Sequence, residues 1–170
     1  MILPHRAPFD QFALWFAEAG QTEINDPNAF ALATATPDGR PSVRVVLLKD
    51  WDERGFVFYT NLDSRKGSEI GANPHVHIDF HWKSQRRQVR VDGVAHQVPD
   101  AEADAYFATR PRDSQLGAWA SLQSQPLADR ETFEARIAAM RSRFEGGPVP
   151  RPARWSGLRI VPSAIEFWQD

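Results

Sequence analysis

Arg44-Val-Val-Leu-Leu-Lys49, followed by Phe58-Tyr-Thr-Asn61 and Ser64-Arg-Lys66, concentrates residue types suited to holding an anion. A short apolar run ends in Lys49, and its neighbour ends in hydroxyl and amide side chains. The helix expected next opens on Ser64 and carries Arg65 and Lys66 in its first turn. A helix N-terminus offers unpaired backbone N–H groups and the positive end of the macrodipole, so two cations there make a phosphate socket. That chemistry suits a phosphorylated cofactor. Charge pairs at helix starts are more often simply solvated, so the pair needs support from the rest of the chain.

A second candidate cluster is weaker. His75, His77, Asp79 and His81 share one face of an alternating strand, with Val76, Ile78, Phe80 and Trp82 on the other. Imidazoles two apart on a strand can converge on a metal, but open strand spacing does not enclose an ion. The face is expected to be solvated or interfacial, and no metal site is predicted. His5 and His96 have no partner that the sequence identifies.

The elements that must position these groups follow from periodicity. Phe9, Phe12, Ala13, Phe16 and Ala19 recur at helical spacing, predicting a helix over 8–20 ended near Gly20. Strands are predicted at 29–36, 41–49, 56–61, 75–82, 86–98 and 157–168, with turns at 37–40 and 52–55. Gly93 reads as a bulge or bend within its strand. Ser64 caps a short helix closed by Asn73-Pro74, Asp100 caps another over 101–109, and Phe133, Ile137, Met140 and Phe144 mark a third over 128–144. Residues 111–119 read as a compact polar segment, and 148–152 as a proline-rich loop. Six strands joined mostly by short turns fit a small antiparallel barrel better than a βαβ sheet. One domain over residues 1–170 is expected.

Composition narrows the function. A net charge of -2 gives no bulk attraction to nucleic acid or an anionic membrane. The absence of cysteine excludes disulfides, thiolate catalysis and cysteine metal sites. Met1-Ile-Leu-Pro-His-Arg6 has no apolar stretch long enough for a signal peptide, and no later run could span a bilayer. A cytoplasmic protein is expected. Six tryptophans are a large allotment and hint at a flat ring ligand or an oligomer interface.

The motifs already quoted, with Arg87-Gln88-Val89, Tyr106-Phe107, Arg110-Pro-Arg-Asp-Ser-Gln115, Gly117-Ala-Trp119, Gln123-Ser124 and Ile165-Glu-Phe-Trp168, resemble the pyridoxine/pyridoxamine 5′-phosphate oxidase family. They run in the family's order from about residue 8 to the end of the sequence. The resemblance implies an FMN-binding split β-barrel, mainly β with flanking helices, assembled as a homodimer with two FMN clefts. It implies oxidation of pyridoxamine or pyridoxine 5′-phosphate to pyridoxal 5′-phosphate with O₂ as acceptor, hydride passing from substrate C4′ to flavin N5. Carried over by position, the flavin would meet Arg44, Val45, Val46, Leu47, Leu48, Lys49, Tyr59, Thr60, Arg65, Lys66, Gln88, Gln123, Ser124 and Trp168. The substrate phosphate would meet Lys49, Tyr106, Arg110 and Ser114.

Those four supply two cations and two hydroxyls, the donors a dianionic phosphoester needs. Tyr106 and Arg110, four apart, share one face of a helix end. A cofactor that performs the redox step leaves the protein to orient two rings, so no acid–base dyad is required and none is assigned. Arg112 is expected to pair with Asp113 or another carboxylate. Trp51, Trp82, Trp119 and Trp155 are assigned to core or interface, and Trp168 divides between strand-end core and flavin contact.

The family pattern continues past Glu-Phe-Trp-Gln with a Gly-rich turn and an Arg-Leu-His-Asp-Arg string, and begins with a basic arm; here the sequence ends at Asp170. In relatives those groups cover the substrate and help hold FMN. The expectation is therefore retained FMN binding, with weakened oxidase activity if residue 170 is the true end. Two rivals stand beside this reading. One is a related flavin oxidase of the phenazine kind with another ring substrate. The other is a non-catalytic module binding FMN or pyridoxal phosphate.

Overall fold

A computed structural model describes residues 7–170. Met1–Arg6, the stretch in which no signal peptide is expected and which includes His5, fall outside the described residues. Helix α1 (Pro8–Thr22) begins with proline, whose missing N–H would have been unpaired there anyway, and buries Gln11, Phe12, Trp15 and Ala19 along one stripe. The strands are β1 (Ala29–Ala35), β2 (Pro41–Leu47), β3 (Asp50–Asp52), β4 (Gly55–Asn61), β5 (His75–Trp82), β6 (Arg87–Gln97) and β7 (Trp155–Gln169). Helices α2 (Arg65–Ala72), α3 (Asp100–Thr109), α4 (Arg112–Ala120) and α5 (Arg130–Arg143) complete the set, with a 3₁₀ turn at Lys83–Gln85. None of the described helices is long and apolar enough to cross a membrane.

The fold is mainly β with helices, as expected, but the sheet has seven strands rather than six, in the order β2-β1-β5-β6-β7-β4-β3. The added strand is β3. The sequence pattern assigns Asp50 and Trp51 to no element and begins a turn at Asp52, yet Asp50, Trp51 and Asp52 pair with Val57, Phe56 and Gly55. Gly55 closes that hairpin at φ 132°, where a Cβ would lie 2.1 Å from the Ile160 carbonyl oxygen.

Other expectations need correction. Strand β2 ends at Leu47, so Leu48 and Lys49 follow it. Gly93 makes no bulge, because β5 and β6 pair without interruption from His75↔Val94 to Trp82↔Arg87. The glycine instead admits β7, since a Cβ there would meet the Val161 oxygen at 2.6 Å. Asp100 is the first residue of α3 rather than its cap; Pro99 occupies that position. The polar segment after Pro111 is helix α4, which buries Gln115, Leu116 and Ala120.

The chain forms two compact units. The first comprises the described residues through Phe58, Glu69–His96 and Leu158–Asp170; the second comprises Tyr59–Ser68 and Gln97–Gly157. In the first, Phe12 sits edge-on to Phe56 at 4.9 Å and to Phe80 at 5.2 Å, between α1 and the sheet. Strand β5 alternates as read, burying Val76, Ile78, Phe80 and Trp82. On its outer face His77 Nδ1 pairs with Asp92 across the strands at 2.6 Å. In the second unit Phe107, Leu116, Val149 and Trp155 form the core, with Tyr59 and Tyr106 packed against it.

Candidate active site

The turn into α2 is built for close approach. Asn61 accepts from the Asp63 N–H at 2.9 Å, and Ser64 Oγ accepts from the Gly67 N–H at 3.3 Å as the helix cap. Gly67 is required by the tight fold-back, because a Cβ would lie 2.2 Å from the Leu62 oxygen. Arg65 and Lys66 occupy the first turn as expected, but differently: Arg65 is exposed and Lys66 is 8% exposed. The Lys66 ammonium donates to Ser64 Oγ at 3.1 Å and to Gln123 Oε1 at 3.2 Å, both uncharged oxygens. Thr60 Oγ1 reaches the same Gln123 oxygen at 3.4 Å. Gln123, 57 positions beyond Lys66, thus joins Thr60, Ser64 and Lys66 at one helix start.

Gln123 is held there by a residue the sequence reading missed. Arg154 Nη2 donates to the carbonyls of Ala118 (3.2 Å), Trp119 (2.6 Å) and Ser121 (3.5 Å), closing the C-terminal end of α4 where the 121–125 loop begins. Its own carbonyl accepts from the Leu62 N–H at 2.6 Å, beside the α2 turn. Ser124 in this loop is exposed and takes a left-handed φ of 66°. A cavity of about 380 Å³ lies along residues 121–127, bounded by Phe133 and Arg136.

Thr60 and its neighbour Tyr59 alternate on β4, so Tyr59 joins a different group. Its ring stacks on Tyr106 at 3.9 Å and on Trp155 at 5.1 Å. Arg110, at the end of α3, lays its guanidinium 4.7 Å from the Trp155 ring centroid and 5.6 Å from that of Phe107. Burial pulls the Arg110 guanidinium below its ordinary pKa, opposed by Tyr106; burial likewise pushes the Tyr106 phenol up, opposed by Arg110. Arg110 Nη1 is shut from solvent and bonded to no acceptor. An orphaned charged donor is costly, which suits a place where an anion completes the set. Ser114 follows in the first turn of α4, half-buried. Gln115 fixes the α3–α4 corner by donating to the Phe107 carbonyl at 2.9 Å.

Arg112 is not paired with a carboxylate as expected. It donates to the Gly147 and Phe144 carbonyls at 2.8 and 2.5 Å, closing α5, while Asp113 takes Arg141 at 3.1 Å. Arg112 and Asp113 are adjacent on α4, where neighbouring residues do not face one another, so each finds a different partner.

The remaining candidates belong to the first unit. Arg44 lies on the inner face of β2 and donates to Thr34 Oγ1 at 2.6 Å and to Glu69 at 3.3 Å. Val45 points outward at 68% exposure, and Val46 and Leu47 are half-buried. Leu48 is core, and Asn28 takes both its N–H (2.8 Å) and its carbonyl (2.9 Å). Lys49 has an exposed side chain, its N–H held by the Val57 oxygen at 2.9 Å. Gln88 is half-buried opposite His81, and Trp168 is 51% exposed. Among the described residues no group of three or more His, Cys, Asp or Glu is gathered as a metal would need.

Residues 16–144 match the family model for pyridoxamine 5′-phosphate oxidase. The chain belongs to the pyridoxamine 5′-phosphate oxidase family. It is 66% identical over 163 residues to the pyridoxine/pyridoxamine 5′-phosphate oxidase of Sphingopyxis alaskensis, covering 96% of this chain and 76% of that protein. The protein of that name from Gluconobacter oxydans is 64% identical over 163 residues, covering 96% and 82%. Among solved structures, PhzG from Burkholderia lata in complex with tetrahydrophenazine-1-carboxylic acid aligns with a TM-score of 0.91 at 34% identity, over 98% of this chain and 81% of that one. A pyridoxamine 5′-phosphate oxidase-related, FMN binding protein from Nostoc punctiforme shares the fold, with a TM-score of 0.76 at 18% identity over 99% and 87%. The split-barrel architecture expected from the motifs is therefore the one this family member adopts, and the membership makes it an oxidoreductase by class.

Proposed function

We propose that this family member is an FMN-dependent oxidase converting pyridoxamine or pyridoxine 5′-phosphate to pyridoxal 5′-phosphate, with O₂ as electron acceptor. The observation that carries the reading is a pair of separate cationic seats served by adjacent residues of β4. One is Lys66 at the start of α2, with Thr60 and Gln123; the other is Arg110 at the α3–α4 corner, with Tyr59 and Tyr106. Two seats suit two phosphorylated ring compounds, one cofactor and one substrate.

The donor set fits FMN. Lys66, Arg65, Thr60, Gln123 and Ser124 would take its phosphate and polar groups, and Arg44–Lys49, Tyr59, Gln88 and Trp168 are the other positions that the family pattern assigns to the flavin. When bound, FMN supplies the two-electron acceptor for the substrate's C4′. The chain's own residues bind and orient: Arg110, Tyr106 and Ser114 grip the ester, Lys49 being the further position that the family pattern assigns to it, and charge-assisted bonds to its phosphate hold the ring in register. No side chain needs to shuttle a proton through an acid–base pair. The whole chain acts as one FMN-binding domain, as a homodimer in the cytoplasm, without nucleic acid or membrane partners.

The likeness to PhzG favours a second reading, a flavin oxidase for a larger fused-ring acid. One experiment separates them. Flavin fluorescence is titrated with protein, and O₂ consumption is then followed with pyridoxamine 5′-phosphate or a reduced phenazine carboxylate. Quenching plus consumption with the B6 ester supports the proposal. Quenching with consumption only on the phenazine supports the second reading, quenching without either marks a binding module, and unquenched flavin rejects all three.

A further inference from the structure

Trp155, expected in core or interface, is buried and also meets the Arg110 guanidinium. The indole is 7% exposed and begins β7, and its ring is parallel to Tyr106 within 1°. Tyr59 is tilted 12° to each of them, its centroid 3.9 Å from that of Tyr106 and 5.1 Å from that of Trp155. Gly157, two residues on, is what lets Tyr59 lie there, because a Cβ would meet its ring at 2.8 Å. The Arg110 guanidinium rests on the other ring contact of Trp155, 4.7 Å from the centroid. Its Nη1 is buried with no acceptor.

The indole is itself braced. Arg151 Nη1 donates to the Trp155 carbonyl at 2.8 Å, while its Nη2 and Nε grip Asp100 at 2.8 Å and Asp104 at 2.6 Å. Both acids sit one turn apart on α3, the helix that presents Tyr106 and ends at Arg110. The start of β7 and the first half of α3 are therefore clamped together through one arginine. An aromatic face attracts a guanidinium without consuming any of its N–H donors. A carboxylate in the same place would have neutralised the charge and taken the donors. The indole thus holds the cation against its ring and leaves its donors for a ligand.

We propose that Trp155 is a positioning residue that sets selectivity for a phosphate monoester: its face holds the Arg110 guanidinium without taking its N–H donors, which are kept for the ester's oxygens. This rests on the B6-ester reading above. Trp155 touches neither the reacting carbon nor, in this role, the cofactor. The ring-binding part of the ligand gains nothing from it, so its effect is confined to the phosphate.

The test uses FMN-loaded protein and two probes that have a methyl group at C4 and are not oxidised, 4-deoxypyridoxine 5′-phosphate and 4-deoxypyridoxine. Dissociation constants of both are measured for the native chain, Trp155→Leu and Trp155→Phe. The native chain is expected to prefer the phosphorylated probe. Trp155→Leu should weaken that probe about tenfold and leave 4-deoxypyridoxine and FMN content unchanged, whereas Trp155→Phe, which keeps a ring face, should stay within about threefold. Should the leucine variant not fold, Trp155→Met fills more of the space without a ring face and is read in the same way. An unchanged preference in Trp155→Leu or Trp155→Met overturns the proposal, as does equal weakening of both probes. No preference in the native chain would instead overturn the B6-ester reading itself.

Discussion

Arg44 and Glu69 meet at 3.3 Å, and the same carboxylate oxygen of Glu69 accepts from Ser42 Oγ at 2.6 Å and from Thr34. Glu69 is 6% exposed, so β1, β2 and the latter half of α2 are fastened through one buried acid. Removing it leaves a guanidinium and two hydroxyls without their shared acceptor, the costly way to break a buried pair. Glu69→Ala should lower unfolding free energy by about 3 kcal/mol, less than full burial would give because Arg44 keeps some solvent. Glu69→Gln, which keeps an acceptor, should lose less. Urea unfolding midpoints of the two variants check the order.

Lys66 should matter more to flavin retention than its exposed neighbour. Its ammonium is already desolvated and aimed by Ser64 and Gln123, so little ordering remains to be done when an anion arrives. Lys66→Met should weaken FMN by about 1.5–3 kcal/mol, the worth of a charged hydrogen bond. Riboflavin, which lacks the phosphate, should be little affected. Fluorescence quenching titrations with the two flavins measure the contrast.

Periodic elements were legible because each carries its own pattern: the stripe of α1, the strict alternation of β5, the apolar spacing of α5. Strand β3 and helix α4 were not. Three residues, two of them acids, carry no period, and α4 buries only Gln115, Leu116 and Ala120 among polar and glycine neighbours. Of the two cationic seats, the parts on one element were readable, Arg65-Lys66 and Tyr106–Arg110. Their supports were not, since Arg154 finds Trp119 across 35 positions and Arg151 finds Asp100 across 51. Nothing local in the sequence marks such partners.

Asp52 predicts an acid-side loss of stability. The Arg54 side chain holds its carboxyl below the ordinary value of 3.8, opposed by burial and helped by the Arg54 backbone N–H and the charge of Arg159. Arg159 Nη1 lies 3.0 Å away, tying β3 to β7. A depressed folded pKa contributes stability that is complete above the unfolded value and lost as pH falls through the folded one. The native chain should therefore lose this contribution below about pH 4. Asp52→Asn should be less stable at neutral pH and show a shallower decline in that acid window. Thermal melts across both pH ranges test the sign.

Two glycines should respond oppositely to alanine. Gly20 lies in α1 with open space around its missing Cβ, so Gly20→Ala should stabilise by about 0.5 kcal/mol through helix propensity. At Gly93 the new methyl would meet the Val161 backbone oxygen at 2.6 Å and Ile160 Cγ2 at 2.8 Å. Backbone cannot swing aside as a side chain does, and Gly93→Ala should cost about 1–3 kcal/mol. Melting temperatures that moved in the same direction for both would contradict this.

Arg154 offers the sharpest separation of scaffold from ligand contact. It meets neither ligand in the proposed scheme, yet it closes the carbonyl end of α4 and its backbone anchors Leu62. Those two attachments place Gln123 against Lys66 and Thr60. Truncating the side chain strands three carbonyls but leaves the Leu62 N–H bond, which is a backbone contact. Arg154→Ala should thus free the 121–125 loop while α2 keeps its cap, with faster amide exchange confined to that loop. FMN affinity should fall several-fold because Gln123 must then be ordered on binding. Exchange that quickened equally at residues 61–67 would show instead that the guanidinium supports the α2 turn as well, and FMN affinity that held while the loop loosened would remove Gln123 from the flavin seat.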